Sequence, residues 1–328
     1  MPRAAIIGTG SYAPPKVLTN TDLEKLVDTN DEWIVTRTGI SERHIASDDV
    51  ATSDLCYHAA LRALEAARLD PIDLDLVLVA TATSDHAFPS TACLVQNRIG
   101  ARRAGALDIS AACSGFIYGL GMASGLIQSG TARTILLFGA ETLSRVVNWS
   151  DRNTCVLFGD GAGAVILRAT DEPDRGVLST HLFADGSKGH LLILPGGGSR
   201  HPITHALVDS GLATIHMENG NEVFKLAVRA MEGAAMTALK QNCLEVGDID
   251  LLITHQANRR IINALGQRLG IDEQKVCVNI QRYGNTSAAS IPIALDEAVT
   301  AGRVKPGSTI LLCAFGGGLT WASSIIRW

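Results

Sequence analysis

Three side chains with complementary chemistry stand beside apolar runs of this sequence: Cys113, His255 and Asn285. Cys113 lies in "AACSGF", among small residues that leave room for a substrate carbonyl. The helix-like stretch after it would place the thiol at a helix N-terminus, where the partial positive charge favours the thiolate. We therefore predict a nucleophile at Cys113, although a structural cysteine in a glycine-rich turn accounts equally well for these residue types.

Two further motifs and a glycine run could serve a thiol nucleophile. His255, in "THQAN", follows an apolar strand and could take or share the thiol proton, although a lone histidine at a strand end is more often structural. Asn285, in "YGNTSAAS", carries an amide that could donate to a developing oxyanion. The glycines of "FGGGLTW", residues 315–321, could offer backbone N–H groups that complete an oxyanion hole with the N–H of Cys113.

A weak internal duplication relates the two halves of the chain. Four segments of the first half recur in the same order in the second: "DLDLVLVATAT" as "DIDLLITHQAN", "QNRIG" as "GQRLG", "ALDISAACSGF" as "CVNIQRYGNTSAAS", and "QSGTARTILLFGAET" as "TAGRVKPGSTILLCAFGGG". Because strands and helices alternate, we predict two similar α/β halves that meet near residues 170–180. Cys113 and Asn285 would then occupy corresponding points and share one pocket with His255 at strand ends. The glycine-rich stretch 183–211 lacks a counterpart and is predicted to be a loop.

Composition argues against several classes of protein. Apolar residues make up 46% of the 328 and charged residues 19%, which is typical of a globular chain. The net charge of −5 gives no support for binding nucleic acid, and no apolar run approaches the roughly 18 residues that span a membrane. The seven cysteines include no CxxC pair, which argues against a disulfide framework or a zinc site and favours the cytoplasm. Cys56, Cys93, Cys243 and Cys277 are expected to be small buried hydrophobes.

Seven motifs spread along the chain are similar to those of one enzyme family. They are "NDEWIVTRTGISERHIA", "FPSTACLVQ", "AACSGF", "DRNTCVLFGDGAGA", "GNEVFK", "HQANRRII" and "GNTSAAS". Together they resemble the β-ketoacyl-[acyl-carrier-protein] synthase III family, the condensing enzymes that initiate bacterial fatty-acid synthesis. The resemblance implies an α/β chain with a thiolase-like, five-layered αβαβα fold of two duplicated halves, and a homodimer. Residues 1–175 would carry the cysteine, and residues 176–328 the histidine and the asparagine.

The resemblance also implies a reaction. A short acyl group of acyl-CoA would be joined to malonyl-[acyl-carrier protein] by decarboxylative Claisen condensation. Cys113 would accept the acyl group, His255 and Asn285 would assist the condensation, and the N–H groups of Cys113 and Gly317 would form the oxyanion hole. Coenzyme A enters only as the substrate thioester, and no metal or redox cofactor is expected.

Other residues match positions at which the family binds its substrates. The adenine and phosphates of CoA would lie against Trp33, Arg37 and Arg152, with the adenine held between a guanidinium and the indole. Phe224 and Asn258 would line the pantetheine tunnel. Lys225 and Arg260 would belong to the surface that binds the carrier protein. Phe88 would reach across the dimer and bound the acyl pocket of the second copy. Residues 183–219 depart from the family pattern and include part of the tunnel wall, which leaves the acyl-chain preference open.

Three alternatives stay open at this stage. A related type III condensing enzyme of secondary metabolism, with a different acyl or extender substrate, would carry the same three residues. A papain-like cysteine hydrolase also uses cysteine, histidine and asparagine, although the duplicated βα pattern argues against it. A non-catalytic acyl-binding scaffold would have no need for all three polar residues.

Overall fold

Two five-stranded sheets form the framework of the computed structural model, which describes all 328 residues. The strands are β1 (Arg3–Tyr12), β2 (Val17–Thr19), β3 (Glu42–His44), β4 (Leu76–Ala80), β5 (Gly105–Ile109), β6 (Thr134–Thr142), β7 (Asp160–Thr170), β8 (Gly176–Ala184), β9 (Leu192–Ile193), β10 (His216–Met217), β11 (Leu251–Thr254), β12 (Val276–Cys277), β13 (Thr309–Gly316) and β14 (Thr320–Arg327). The α-helices are α1 (Asn20–Leu23), α2 (Asp31–Thr38), α3 (Thr52–Ala67), α4 (Thr91–Arg98), α5 (Gly115–Gln128), α6 (His205–Asp209), α7 (Gly220–Gln241), α8 (Arg259–Leu269), α9 (Ile280–Tyr283) and α10 (Ser290–Thr300). None of these helices has both the length and the apolarity needed to cross a membrane.

The two sheets have the same strand order and come from successive parts of the chain. The first has the order β1-β7-β6-β4-β5, and the second the order β8-β14-β13-β11-β12. In the first sheet β4 pairs parallel with β5 and β6, while β7 pairs antiparallel with β6 and β1. The second sheet repeats this pattern strand for strand. The correspondence confirms the predicted duplication, and the chain passes from one sheet to the other between Thr170 and Gly176.

Helices cover both outer faces of the sheets and fill the space between them. α3 and α4 pack outside the first sheet, α7 and α8 pack outside the second, and α5 and α10 lie between the two. Because side chains alternate along a strand, Val77 and Val79 of β4 join the outer core with α3, whereas Leu78 joins the central core. Burial on both faces accounts for the continuous apolar runs of these strands. The result is the predicted five-layered αβαβα arrangement.

A close crossing joins the two halves beside the carboxyl end of β6. Gly139 of β6 lies against the short 3₁₀ turn Ser287–Ala289 that precedes α10. A Cβ at Gly139 would collide with the carbonyl group of Ala288. Glycine therefore allows a strand of the first half to touch a turn of the second.

The stretch without a counterpart in the first half contains short elements as well as loop. A 3₁₀ turn at Gly186–Leu191 is followed by β9, α6 and β10. β9 and β10 pair with each other, His216 opposite Ile193 and Met217 opposite Leu192. Leu192 and Met217 also line a cavity of about 540 Å³ that contains Cys113. The predicted loop therefore forms a wall of that cavity.

Two of the four cysteines expected to be buried are exposed. Cys56 and Cys277 are buried as predicted, whereas Cys93 and Cys243 are exposed. Cys93 faces outward from α4, next to the buried Ala92, and Cys243 lies just beyond the end of α7 with φ +53°. The prediction was wrong for these two because apolar neighbours in sequence determine neither which side of a helix faces solvent, at Cys93, nor the exposure of the turn after a helix, at Cys243.

Candidate active site

Cys113 occupies a sharp turn whose shape depends on its neighbours. It is the second residue of the 3₁₀ turn Ala112–Ser114, which runs directly into α5. Ala112 has φ +45°, a left-handed conformation that redirects the chain just before the thiol. A Cβ on Gly316, at the end of β13, would lie 2.6 Å from the backbone nitrogen of Cys113, so glycine is required for this approach. The thiol is thereby held in place, and Cys113 is only 8% exposed.

The turn before α10 repeats the turn before α5, but Asn285 is not the counterpart of Cys113. Ser287 begins the second turn with φ +47°, as Ala112 begins the first with φ +45°. Counted from these two residues, Ala288 corresponds to Cys113, and Asn285 lies three residues earlier. The predicted correspondence was wrong because the two segments share too few identical residues to determine the register of the turn.

The three predicted catalytic side chains nevertheless line one cavity of about 540 Å³. His255 directly follows β11, and its backbone N–H donates to the carbonyl oxygen of Cys313 in β13 at 2.8 Å. Asn285 is attached to the first half of the chain. Its N–H donates to the carbonyl oxygen of Leu157 at 2.8 Å, and its own carbonyl oxygen accepts from the N–H of Gly159 at 3.0 Å.

Buried hydrogen bonds determine the protonation of His255. The Ser290 hydroxyl accepts from the N–H of Gln256 at 3.3 Å and lies 2.7 Å from Nδ1 of His255. The hydroxyl hydrogen of Ser290 is free to donate to Nδ1, an arrangement in which the ring proton is on Nε2. Burial lowers the pKa of His255 to about 3, so the ring is neutral. A neutral ring of this kind is a good hydrogen-bond donor, but it does not support the expectation that His255 takes the thiol proton.

Asn285 is oriented by the turn that it precedes. Its Oδ1 accepts the N–H of Ser287 at 2.8 Å, which leaves the amide NH₂ available to a ligand in the cavity. Asn285 is 7% exposed and His255 is 2% exposed. Both side chains thus offer N–H donors in a buried setting, where a fixed donor stabilises a developing oxyanion strongly.

The surroundings of Cys113 favour the thiol over the thiolate. Burial raises the pKa of Cys113 to about 11. The nearby hydroxyl of Ser287 and the backbone N–H groups of Gly317 and Cys113 act in the opposite direction, while the negative charge of Glu141 raises the pKa of Cys113 further. Burial therefore opposes the helix-stabilised thiolate that the sequence predicts. The N–H groups of Cys113 and Gly317, which were assigned to the oxyanion hole, are both close enough to the sulfur to lower its pKa.

The outer end of the large cavity collects five residues assigned to substrate binding: Trp33, Arg37, Phe224, Asn258 and Arg260. Asn258 caps α8, since its Oδ1 accepts the N–H of Arg260 at 2.8 Å, and its amide donates to the carbonyl oxygen of Arg37 at 3.0 Å. The Arg260 guanidinium lies 5.4 Å from the centre of the Phe224 ring. The cavity therefore runs from a basic and aromatic mouth to the buried thiol.

Arg152, Lys225 and Phe88 lie outside the lining of this cavity. The guanidinium carbons of Arg37 and Arg152 are 4.4 Å and 5.1 Å from the centre of the Trp33 ring. An adenine between an arginine and the indole would need about 7 Å, twice a contact distance of about 3.5 Å. Both distances are shorter than this, so an arginine must move to admit the base. Lys225 is exposed on α7, and Phe88 is 86% exposed.

Cys113 and Gly317 also line a second cavity of about 120 Å³. The lining is mostly apolar and includes Leu143, Val146, Phe158, Ile193 and Ile215. These residues come from loops and short elements, and no sequence motif predicted them. Apolar residues outside regular elements carry no periodic pattern from which a pocket could be predicted.

Three buried polar residues beside the site were also missed: Glu141, Ser287 and Ser290. The two serines lie in "GNTSAAS", where their types are equally typical of helix caps. Glu141 is the last but one residue of β6, and a carboxylate in this mostly apolar, buried strand was the signal that could have identified it. Nowhere does the structure bring three His, Cys, Asp or Glu side chains together in a way that could hold a metal ion.

Comparison with known proteins gives consistent matches along the chain. A family model described as 3-oxoacyl-[acyl-carrier-protein (ACP)] synthase III matches residues 107–186, and the model of its C-terminal part matches residues 239–328. A β-ketoacyl-[acyl-carrier-protein] synthase III of Desulfitobacterium hafniense (strain DSM 10664 / DCB-2) is 55% identical over 328 residues, 100% of this chain and 98% of that protein. Its counterpart in Caldanaerobacter subterraneus subsp. tengcongensis is 57% identical over 325 residues, 99% of this chain and 98% of that protein.

Solved structures share the fold. The 3-oxoacyl-[acyl-carrier-protein] synthase III of Aquifex aeolicus VF5 is 50% identical, with a TM-score of 0.91 over 99% of this chain and 100% of that one. The priming β-ketosynthase from the R1128 polyketide biosynthetic pathway is 36% identical, with a TM-score of 0.91 over 99% of this chain and 96% of that one. The chain therefore belongs to the β-ketoacyl-[acyl-carrier-protein] synthase III family of acyltransferases, which have the thiolase fold.

Proposed function

We propose that this chain initiates fatty-acid synthesis by condensing the acyl group of a short acyl-CoA with malonyl-[acyl-carrier protein]. The observation that carries the proposal is one cavity that connects a basic, aromatic mouth with Cys113, His255 and Asn285. The full-length similarity to synthases of this name supports the same reaction. The catalytic roles below are part of the proposal.

In the first half-reaction, the sulfur of Cys113 attacks the carbonyl carbon of the acyl-CoA. A new S–C bond forms to the cysteine, the S–C bond to CoA breaks, and the CoA thiolate takes a proton from water. The N–H groups of Cys113 and Gly317 lie at the sulfur and are suited to bind the tetrahedral oxyanion. The small apolar cavity beside the sulfur suits a short acyl chain.

In the second half-reaction, malonyl-[acyl-carrier protein] replaces CoA and loses carbon dioxide. The enolate that forms accepts hydrogen bonds from Nε2 of His255 and from the amide of Asn285. Its carbon then attacks the acyl-Cys113 thioester, which releases the β-ketoacyl product and returns the thiol. The neutral ring of His255 suits this role, because a donor must keep its proton throughout the step.

The mouth of the cavity is suited to anionic substrates although the whole chain has a net charge of −5. Arg37 and Arg152 would bind the CoA phosphates, and the adenine would stack on Trp33 after displacing an arginine. Lys225 and Arg260 would bind an acidic carrier protein. Fixed charges around an opening attract an oppositely charged partner before contact is made.

We also propose a homodimer that works in the cytoplasm. β5 is an edge strand of the first sheet, and its Leu107 is 37% exposed. The nearby segment carries Phe88, which is 86% exposed. An open edge with large exposed apolar side chains favours pairing with a second copy, whose acyl pocket Phe88 would bound. All seven cysteines are free, which suits a reducing compartment.

A condensation assay tests the proposal. The purified protein is incubated with a series of acyl-CoAs and malonyl-[acyl-carrier protein], and the carrier-bound product is measured by mass spectrometry together with carbon dioxide. We expect a β-ketoacyl product from a short acyl-CoA, and none when malonyl-[acyl-carrier protein] is replaced by the acetyl form, which cannot decarboxylate. Free acid and CoA without a new carbon–carbon bond would indicate a hydrolase, and acyl-CoA binding without covalent transfer would indicate a scaffold.

The same assay distinguishes the specialised condensing enzyme that the sequence left open. The relatives named β-ketoacyl-[acyl-carrier-protein] synthase III are 55% and 57% identical to this chain and the priming ketosynthase is 36% identical, which favours fatty-acid initiation. Preference for an unusual acyl group, or for an extender other than malonyl-[acyl-carrier protein], would favour the specialised enzyme over the initiation of fatty-acid synthesis.

A further inference from the structure

Arg43 is a fully buried arginine to which the proposed reaction gives no role. It is the middle residue of β3 and is 0% exposed. Its guanidinium donates to the carbonyl oxygen of Leu18 at 3.0 Å and to the carbonyl oxygen of Val156 at 2.9 Å. Arginine is rarely buried completely, because removing its charge from water costs free energy that its hydrogen bonds must offset. The partners of Arg43 therefore show which part of the fold it holds.

The two hydrogen bonds of Arg43 lead to different parts of the chain. Leu18 is paired with Arg43 in the β2–β3 hairpin, so the first bond stays inside the hairpin. Val156 lies 113 residues further along the chain, in the segment 156–159 that precedes β7. The first three residues of this segment line the cavity of about 540 Å³ that contains Asn285. The second bond thus fastens the hairpin to a wall of that cavity.

The segment 156–159 also holds the backbone of Asn285. The carbonyl oxygen of Leu157 accepts the N–H of Asn285 at 2.8 Å, and the N–H of Gly159 donates to the carbonyl oxygen of Asn285 at 3.0 Å. Phe158 and Asn285 are thereby paired like residues of two parallel strands. Arg43 fastens the residue that directly precedes this pairing. A shift of the segment 156–159 would therefore move Asn285 with it.

The stem of Arg43 packs beside the same pairing. A Cβ at Gly159 would lie 3.0 Å from the Cβ of Arg43, and a Cβ at Gly284 would lie 3.2 Å from it. Gly284 directly precedes Asn285 and has φ +64°, a conformation that favours glycine. Because both glycines lack a side chain, Arg43 can lie close to the backbone on either side of the pairing.

The other two proposed catalytic residues are positioned without Arg43. His255 forms a hydrogen bond with Ser290, and Cys113 lies in the turn that runs into α5. Neither His255 nor Cys113 shares a hydrogen bond or a hydrogen-bond partner with Arg43. Loss of the guanidinium should therefore affect Asn285 much more than it affects the thiol or the imidazole.

We propose that Arg43 is a positioning residue for Asn285. Its guanidinium holds the segment 156–159, and this segment fixes the direction in which the amide of Asn285 donates to the enolate. Arg43 lines neither of the two cavities that contain Cys113, so it acts through the segment and not on the substrate. The proposal rests on the proposed function, because it assigns a support to a donor that the decarboxylation step uses.

Two substitutions of Arg43 and a control test the proposal. Arg43→Met keeps an unbranched side chain but removes its donors, whereas Arg43→Lys keeps a charged donor. Arg303→Met is the control, because Arg303 also donates to two backbone carbonyl oxygens, those of Gln274 and Val276, and lines neither cavity. Carbon dioxide release from malonyl-[acyl-carrier protein] and acylation by acyl-CoA are measured separately, and both rates are expressed per folded molecule.

Decarboxylation should fall selectively. Removal of one oxyanion donor costs about 10²–10³-fold in rate, and a displaced donor should cost less, so we expect Arg43→Met to lose about 10-fold. Its acylation should stay near the parent rate. Arg43→Lys should recover part of the loss, since an ammonium group can still donate to the carbonyl oxygen of Val156. Arg303→Met should keep the parent rate in both measurements. Equal losses of acylation and decarboxylation in Arg43→Met would overturn the proposal, because they would show a general disturbance of the site.

A double-variant cycle separates support of Asn285 from a general structural role. In an Asn285→Ala background the amide is absent, so Arg43→Met should cause no further loss of decarboxylation. Losses that multiply in the double variant would overturn the proposal, and so would decarboxylation by Arg43→Met at the parent rate. If Arg43→Met does not fold, Arg43→Gln takes its place in both comparisons. Failure of the proposed function would look different, because the parent itself would then release no carbon dioxide from malonyl-[acyl-carrier protein].

Discussion

The inner end and the mouth of the large cavity are built in different ways. At the inner end, His255 and Asn285 are almost fully buried, and each is held by hydrogen bonds to the backbone or to a buried hydroxyl. At the mouth, Arg37 and Arg152 are exposed, and both lie against the face of Trp33. One end has a defined geometry, and the other can rearrange at little cost.

This difference corresponds to two physical tasks. Donors that stabilise charge in a transition state work best when they are already in position, because no reorganisation is then needed during the reaction. Charges that attract a substrate act over a distance and tolerate movement. Substitutions at the inner end should therefore change rate constants, whereas substitutions at the mouth should change KM and its dependence on salt.

The largest effect is expected at Cys113. Cys113→Ala should abolish condensation, because no acyl-enzyme can form. Malonyl decarboxylation should persist, since it relies on His255 and Asn285. Both activities are measured on the same preparation, with Cys277→Ala, a buried cysteine elsewhere, as the control. Condensation that survives in Cys113→Ala would assign the nucleophile to another residue.

The donors at the inner end should show the next largest effect. His255→Ala and Asn285→Ala should each lower decarboxylation by about 10²–10³-fold, the usual loss for one oxyanion donor. Acylation should fall less, because it depends on the backbone N–H groups of Cys113 and Gly317. Acyl-enzyme formation and carbon dioxide release are measured separately in each variant. Carbon dioxide release at the parent rate would exclude that residue from stabilising the enolate.

At the mouth, the effect should be smaller and dependent on salt. Lys225→Glu and Arg260→Glu should raise KM for malonyl-[acyl-carrier protein]. The difference in KM from the parent should shrink as salt is added, because 0.1 M salt screens charges that are more than about 10 Å apart. Lys240→Glu is the matched control, since Lys240 is also exposed but lies near the other end of α7. Acylation by acyl-CoA should be spared in Lys225→Glu. Equal effects of Lys225→Glu and Lys240→Glu would argue against a docking surface at Lys225.

The smallest effect concerns stability and again contrasts a buried group with an exposed one. The folded chain holds the proton of Glu141 more tightly than the unfolded chain does. Its contribution to the free energy of unfolding is therefore fully present below pH 4.5 and is lost as pH rises through about 7. The shift corresponds to about 3 kcal/mol at most. The free energy of unfolding of Glu141→Gln, relative to the parent, should therefore increase between pH 5 and pH 8 in urea titrations. Glu32→Gln serves as the exposed control, and a flat difference for Glu141→Gln would argue against a raised pKa.

The fold could be predicted from the sequence because its signals are local and repeated. β4 and β11 are short apolar strands that follow acidic residues, and each is followed by a helix with similar last residues. The register of the two turns could not be predicted in this way. It depends on left-handed backbone conformations at Ala112 and Ser287, and neither residue type indicates such a conformation.

For the site, residue types predicted the chemical groups but not their electrostatic state. The sequence indicated a helix start near Cys113, which is a local effect that favours the thiolate. The opposing effect, burial, arises from packing between residues far apart in the chain, and it dominates at both Cys113 and His255. Ser290 became recognisable only when the fold placed it beside His255.

The most direct test of an acyl-cysteine route is an intact-mass measurement in two steps. The protein is first exposed to a short acyl-CoA, the excess is removed, and malonyl-[acyl-carrier protein] is then added. The parent should gain the mass of one acyl group per chain in the first step. It should lose that mass in the second, as the β-ketoacyl product and carbon dioxide appear in equal amounts. An acyl mass that forms equally well in Cys113→Ala, or that leaves the parent only as free acid, would contradict condensation through Cys113.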